Sequence, residues 1–355
     1  MNDPVRALGP APRGPDGRFR NPPGSPTPGP GRRASFLRFL WRQLSGRGMP
    51  PVPTVPEGHA LTTDATLAGL ADLTRRDCIT WLGHAAFLVR LGGRTLLLDP
   101  YLEAYAGPLA LYRNGVAVRG LGPRRYVDSP IPVARQPEID AVLISPNHYD
   151  HLDAATLARL PGKRRSAVIV PRGLAAHVSL RGFADRRELD WGETTRLGEL
   201  AITAVPAVHF SRRGLFDRNR TLWCGFVLET AAKRIFFSGD TAHGEVFAEI
   251  GRAFGGFDLA LIGIGAYAPR EVMRASHATP EEAVRIGRDL GARHVMGMHW
   301  GTVALTMEPA FEAPGRFRAA ARDAGYAEEQ AWIMRVGETR DIPYGAAARR
   351  NRADG

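Results

Sequence analysis

Short apolar runs recur through the middle of the chain, separated by glycine, proline and charged residues. Runs of about four to eight apolar residues with such borders are typical of buried strands. The pattern predicts strands over 78–82, 86–91, 95–99, 141–144, 167–171, 201–205, 222–228, 234–238, 259–264 and 294–298. Apolar residues at helical spacing predict helices over 154–160, 173–180, 244–254, 280–290 and 315–324.

The helix predicted over 280–290 has a well-defined start. Thr279 suits the N-cap, Pro280 suits the first helical position, and Glu282 completes a capping box. Strands in two batches with helices between them are typical of a layered α/β domain. We therefore predict one such domain over residues 59–345.

Residues 1–58 have a different pattern. Proline, glycine and arginine dominate residues 1–34, which contain too little apolar surface to offset the entropy of ordering. We therefore predict that this arm is disordered or loosely draped. Near 35–45 apolar residues alternate with arginine and predict a short amphipathic helix within this arm. Such a helix either lies on a membrane surface or packs against the domain or a partner.

The net charge of +11 is concentrated in the arm, since residues 1–55 contain nine arginines and only two acidic residues. The rest of the chain is weakly basic, apart from a short basic tail at 346–355. This distribution favours an anionic surface near the arm and argues against a nucleic-acid-binding fold.

Targeting signals are not evident in the sequence. The first 30 residues lack the apolar segment of a signal peptide, and no apolar run approaches the roughly 20 residues of a membrane span. Cys78 and Cys224 are too few for a disulfide framework and lie in apolar runs, so we expect buried thiols. These features predict a cytoplasmic protein, peripheral to the inner face of the membrane if the arm binds lipid.

A cluster of metal-ligand residues directly follows the apolar run 141–144. The segment S-P-N-H-Y-D-H-L-D contains His148, Asp150 and His151 within four positions. Two imidazoles and a carboxylate on one loop suit zinc or a similar divalent ion.

Ligand-type residues also follow three later strands. His209 stands in V-P-A-V-H-F, Asp240 in F-F-S-G-D-T, and His299 in V-M-G-M-H-W-G-T. One histidine at the end of a strand is usually structural. Several such residues in this order predict loops that face a common cleft.

Taken in order, these motifs resemble the metallo-β-lactamase superfamily, and within it the branch of phospholipases D that hydrolyse N-acylphosphatidylethanolamine. The resemblance covers most of residues 75–305, from W-L-G-H-A-A-F-L-V at 81–89 to H-A-T-P-E-E-A-V-R-I at 277–286 and H-W-G-T at 299–302. It implies a four-layer αββα sandwich with a two-metal site at one edge. Carried over by position, the ligands would be His148, His209 and Asp240 for one metal, and Asp150, His151, Asp240 and His299 for the other.

Pro146 stands where the family has a further histidine on the first metal, and proline cannot ligate. The resemblance therefore implies two zinc ions, or one if the first site is weakened, with manganese or magnesium as alternatives. Asn147, His84 and His243 are candidate substitute ligands, although we expect His84 mainly to hydrogen-bond close to the site.

The resemblance implies a phosphodiesterase of phospholipase D type, acting on N-acylated phospholipid-like substrates. Its metals would polarise a phosphoryl oxygen and generate the attacking hydroxide. Asp150 would ligate and orient the nucleophile. His277 would donate a hydrogen bond to the phosphate or protonate the leaving group, or else simply precede the helix. Two alternatives remain, namely a lactone or nucleotide hydrolase on the same scaffold, and a degenerate lipid- or partner-binding protein.

Overall fold

A computed structural model describes residues 8–27, 29, 34–38, 41, 53–107, 109–113 and 116–343. Its strands are β1 (Cys78–Trp81), β2 (Phe87–Leu91), β3 (Arg94–Leu98), β4 (Leu109–Arg113), β5 (Val116–Leu121), β6 (Ala141–Leu143), β7 (Ala167–Pro171), β8 (Asp185–Leu189), β9 (Thr194–Leu197), β10 (Leu200–Val205), β11 (Gly225–Glu229), β12 (Arg234–Phe237), β13 (Phe257–Gly263), β14 (Ala292–Met298), β15 (Ala331–Trp332) and β16 (Thr339–Asp341). Its α-helices are α1 (Thr63–Asp72), α2 (Ala154–Arg159), α3 (Val246–Phe254), α4 (Arg270–Met273), α5 (Pro280–Asp289) and α6 (Ala313–Asp323).

Two seven-stranded mixed sheets form the centre, with strand orders β16-β1-β2-β3-β6-β7-β8 and β15-β14-β13-β12-β11-β10-β9. Each sheet has an antiparallel half made of hairpins and a parallel half, which comprises β3, β6, β7 and β8 in the first sheet and β12 to β15 in the second. Parallel neighbours end at the same edge of a sheet, so the loops after β3, β6, β12 and β14 can converge.

The inner faces of the sheets pack together, as where the Phe87 and Phe237 ring centroids lie 6.2 Å apart. On the outer face of the first sheet, Leu157 of α2 joins a second buried cluster. On the outer face of the second sheet, Ile286 of α5 and Phe317 of α6 are fully buried. The predicted four-layer αββα sandwich is confirmed. The two cysteines are buried and unpaired, as expected.

One predicted helix is wrong. Residues 173–180 contain only a 3₁₀ turn at Val178–Leu180. Gly173 has a left-handed φ of +87°, and the imidazole of His177 accepts a hydrogen bond from Ser179 N, so the chain turns before a helix can propagate. The capping box at the start of α5 is present as predicted, with both Thr279–Glu282 hydrogen bonds.

The prediction of a disordered arm is wrong for residues 8–27, which we call the strap. Phe19 in the strap is fully buried, and its backbone N donates to Asn219 O at 2.9 Å. Ala11 N donates to the Asp190 carboxylate at 2.9 Å. Burial of one aromatic ring and these long-range hydrogen bonds offset the conformational entropy lost on ordering the strap. The composition alone suggests that this entropy cost would keep the segment disordered.

Only residues 34–38 and 41 of the region predicted as an amphipathic helix are described, and they are helical. The rest of that helix and the basic tail at 346–355 lie outside the described residues. Within the described part, no helix is both long enough and apolar enough to cross a bilayer.

Candidate metal centre

The loops that follow β6, β10, β12 and β14 bring their ligand-type residues to one edge of the sandwich. His84, Asp150, His151 and His299 each offer one donor atom, and all four atoms lie within 4.8 Å of one another; we call them the four-donor group. His148, His209 and Asp240 satisfy the same criterion and form the three-donor group.

Asp240 lies between the two groups. Its Oδ2 is 3.0 Å from Nε2 of His151 and 3.4 Å from Nε2 of His209, while its Oδ1 is 3.0 Å from Nε2 of His299. Because Oδ2 contacts an imidazole of each group, the carboxylate can be shared by both. All the sequence-predicted ligands therefore come together in space.

Hydrogen bonds from behind orient two of the imidazoles. His151 Nδ1 lies 2.6 Å from Asp99 Oδ2, and His209 Nδ1 lies 2.8 Å from the carbonyl oxygen of Ser276. Each contact fixes the ring so that Nε2 points into the cluster, as is usual for histidines that bind metals. Sequence reasoning assigned no role to Asp99, although its position directly after β3, in L-D-P, was a signal.

Charges in the cluster divide the histidines into two kinds. Burial lowers the pKa of His151, but the carboxylates of Asp240, Asp99 and Asp150 outweigh burial and hold it well above its ordinary value. The pKa of His299 rises to about 9 for the same reason, chiefly through Asp240. The pKa values of the Asp150 and Asp240 carboxyls are well below their ordinary value because protonated His151 outweighs their burial.

The pKa values of three other imidazoles shift in the opposite direction to those of His151 and His299. Burial lowers the pKa of His84 to about 3 and that of His277 to about 4, and it holds the pKa of His209 well below its ordinary value. Neutral imidazole is the form that binds metal.

Some buried donor atoms in the cluster lack a hydrogen-bond partner in the described part of the chain, as expected for atoms that would bind a cation. His148 Nε2 and His299 Nδ1 have no hydrogen-bond partner among the described residues. His84 and His299 also adopt left-handed φ values of 55° and 64°, which non-glycine residues rarely do. Strain of this kind clusters at functional sites, and nitrogen and carboxylate donors suit zinc or a similar divalent ion.

Two of the candidate substitute ligands are not brought to the cluster. Asn147 Oδ1 accepts a hydrogen bond from Arg212 N at 2.8 Å, and His243 Nε2 contacts Asp289 of α5 at 2.7 Å. His84 is different, because its Nε2 lies 2.9 Å from Asp150 Oδ2 and it belongs to the four-donor group. Its placement allows either ligation or support of Asp150.

His277 lies beside both groups. Its ring centroid is 5.0 Å from that of His209 and 5.5 Å from that of His299. The residue stands two positions before the N-cap of α5, so the capped helix start fixes the loop that presents it.

Comparison with known proteins agrees with this arrangement. The family model of the β-lactamase superfamily domain matches residues 94–300, which include every donor except His84. The chain belongs to the β-lactamase superfamily. In keeping with that superfamily, the chain is 31% identical over 270 residues to a metal-dependent hydrolase of Rubrobacter xylanophilus, covering 73% of this chain and 94% of that one.

A second relative carries a more specific name. The mitochondrial N-acyl-phosphatidylethanolamine-hydrolysing phospholipase D of Saccharomyces cerevisiae is 33% identical over 267 residues, which cover 73% of this chain and 55% of that protein. The chain spans only 55–64% of the length of the curated relatives that are 33–38% identical to it.

Solved structures support the fold. An isothiocyanate hydrolase from Delia radicum gut bacteria superposes with a TM-score of 0.58 at 19% identity, covering 75% of this chain and all of that one (100%). At this identity the likeness concerns the fold alone.

Proposed function

We propose that this β-lactamase-superfamily protein is a metal-dependent phosphodiesterase of phospholipase D type, acting on N-acylated phospholipid-like substrates. The observation that carries the proposal is the pair of donor groups that share Asp240 beside His277. The likeness to the yeast phospholipase D supports the substrate class.

The donor chemistry assigns the residues that would hold metal. His148, His209 and Asp240 would hold one ion. By the sequence resemblance Asp150, His151, Asp240 and His299 would hold the other, and Asp240 contacts His151 and His299. When bound, such ions polarise a phosphoryl oxygen and lower the pKa of a water molecule. Zinc is the ion we propose, with manganese and magnesium as alternatives.

The other chemistry belongs to the side chains. Asp150 lies within reach of both His84 and His299 and would orient the attacking water with its free lone pairs. Because the pKa of His277 is lowered to about 4, its imidazole is neutral and offers an N–H to a phosphoryl oxygen or to the leaving alkoxide.

The three-donor group would be the weaker site. Pro146, two positions before His148, is buried and offers no donor, and Asn147 accepts a hydrogen bond from Arg212 N. Zinc accepts three protein ligands with water in the fourth position, so the site remains usable. We propose one tightly held ion in the four-donor group and a second that binds at higher metal concentration.

The arm would place the enzyme at an anionic membrane surface on the cytoplasmic side. Phe36, Leu37 and Trp41 are 39%, 64% and 54% exposed, and arginines flank them in the sequence. Exposed apolar side chains with basic neighbours are typical of helices that lie on anionic membranes.

The proposal is tested by metal analysis of the purified protein together with hydrolysis of vesicles that contain N-acylphosphatidylethanolamine. We expect bound divalent ion and release of N-acylethanolamine with phosphatidic acid. Turnover of lactones or nucleotides alone would favour the alternative hydrolases. Absence of bound ion, with no turnover when zinc or manganese is supplied, would leave a non-catalytic lipid- or partner-binding protein.

A further inference from the structure

A cavity of about 420 Å³ adjoins the three-donor group, and the strap forms one of its walls. Pro26 and Thr27 line it from the strap, and Phe210 and Met273 line it from the domain. His209 is also part of its wall, so the cavity lies directly beside a candidate metal ligand.

The strap wall is fixed in place by contacts on both sides of Phe19. Asn219 accepts from Phe19 N at 2.9 Å through its carbonyl oxygen, and its side-chain amide donates to Phe19 O at 3.2 Å. Further along, Asn21 Oδ1 accepts a hydrogen bond from His209 N at 2.9 Å. The strap therefore binds both the domain and the backbone of a donor residue.

This wall lies outside the segment that matches the superfamily, because the match begins at residue 94 and the strap ends at residue 27. The domain side of the cavity presents Phe210, Val272 and Met273, whereas the strap adds Pro26 beside polar side chains. The guanidinium of Arg218 lies 4.6 Å from the centre of the Phe210 ring. Cavities that combine apolar walls with a few polar groups are typical binding sites for small amphiphiles.

We infer that the strap-walled cavity receives an acyl chain of the substrate, and this inference rests on the proposed phosphodiesterase function. A phosphodiester at the donor groups would direct a chain past His209 and between Thr27 and Met273. The strap thereby makes this chain selective for amphiphiles over short soluble diesters.

A second cavity offers a matched comparison. It measures about 570 Å³, touches His84 and His299, and is lined by Met307 and Phe311. Met273 and Met307 are both partly buried, so the same substitution can be made in each cavity.

The test measures binding of cis-parinaric acid, a fatty acid that fluoresces on leaving water, to the metal-loaded full-length protein. Met273→Glu places a carboxylate in the strap-walled cavity and should raise the Kd of the probe about tenfold or more. Thr27→Glu, on the opposite wall, should raise it several-fold. Met307→Glu and Pro15→Glu, the latter at an exposed strap position, should leave the Kd within about twofold of wild type.

A change confined to Met307→Glu, or no saturable binding to wild type, would overturn the inference. Metal content and the thermal midpoint of each variant show that it is folded. Hydrolysis of N-acylphosphatidylethanolamine by wild type is measured in parallel. Probe binding that depends on Met273 without any hydrolysis would refute the proposed function while the cavity assignment stands.

Discussion

The four-donor group and the three-donor group meet at Asp240 but are supported by different parts of the chain. In the four-donor group, His151 is held by Asp99 and Asp150 by His84, both through side chains that follow strands of the first sheet. In the three-donor group, His209 is held by the Ser276 carbonyl and by Asn21 of the strap. One half of the centre is thus supported by side chains of the first sheet's loops, and the other half by a carbonyl before α5 and by the strap.

The two groups also differ in the exposure of their histidines and in the number of donors available. His148 of the three-donor group is 15% exposed at its side chain and has an unpartnered Nε2 among the described residues, whereas His151 is fully buried. Pro146 removes a donor on the same side. Two sites on one scaffold can therefore differ in affinity although they share a ligand.

Asp240→Asn should have the largest effect of the substitutions considered, because it weakens both donor groups at once. We expect metal content near zero and hydrolysis reduced by about a thousandfold or more. Atomic emission of dialysed protein and an activity assay measure these effects. Asp289→Asn, which alters only the partner of His243 outside both groups, is the control and should keep its metal.

Asp99→Asn should change the metal affinity of one group and not that of the other. Loss of the carboxylate behind His151 should lower affinity in the four-donor group by about 10- to 100-fold and leave the three-donor group unchanged. A competition titration with a chelating dye resolves the two affinities. Asp140→Asn, in the same sheet and paired with Arg94, is the matched control. An equal loss in both sites would show that the groups are not independently supported.

Pro146→His should bring the metal affinity of the three-donor group closer to that of the four-donor group. A histidine at this position adds a donor on the weak side, so we expect affinity there to rise about tenfold and metal content to approach two ions per chain at limiting zinc. Pro146→Ala removes the proline without adding a donor. If alanine raises metal content as much as histidine does, the gain comes from the backbone instead of ligation.

The charges of the four-donor group predict how the metal-free protein responds to pH. Since the pKa of His299 rises from 6.5 to about 9, its contribution to stability is fully present below pH 6.5 and is lost as pH rises through about 9. Thermal midpoints in EDTA should therefore fall across this window. Bound metal should reverse the trend, since ions compete with protons for the same nitrogens. His299→Gln should flatten the metal-free profile.

Much of the sandwich was predictable because its strands are strongly apolar. Two of the strands that were missed have the opposite character: Asp185–Leu189 reads D-R-R-E-L and Thr194–Leu197 reads T-T-R-L. Both lie at sheet edges, where side chains face solvent and the apolar signal disappears. The strap was missed because a single phenylalanine, Phe19, anchors a segment whose composition indicates disorder.

The candidate ligands were found from the sequence because each follows a strand. Their support was not, since the contacts of Asp99 with His151 and of Asn21 with His209 join residues that are 52 and 188 positions apart. His243 shows the converse, because proximity to Asp240 in sequence did not bring it to the cluster. The chain turns into α3 directly after it, and its side chain reaches Asp289 on α5.

The end of the strap also limits how far the exposed apolar residues of the arm can lie from the cavity. Thr27 and Phe36 both border the cavity beside His209, and Phe36 begins the exposed apolar stretch. Fully extended, the intervening chain spans at most about 30 Å, roughly the thickness of the hydrocarbon layer of one bilayer. An arm this short cannot act as a free tether. When it lies on a membrane, the arm determines which face of the protein is turned toward the bilayer. A lipid would then reach the donor groups directly from the bilayer, without being transferred through bulk solvent.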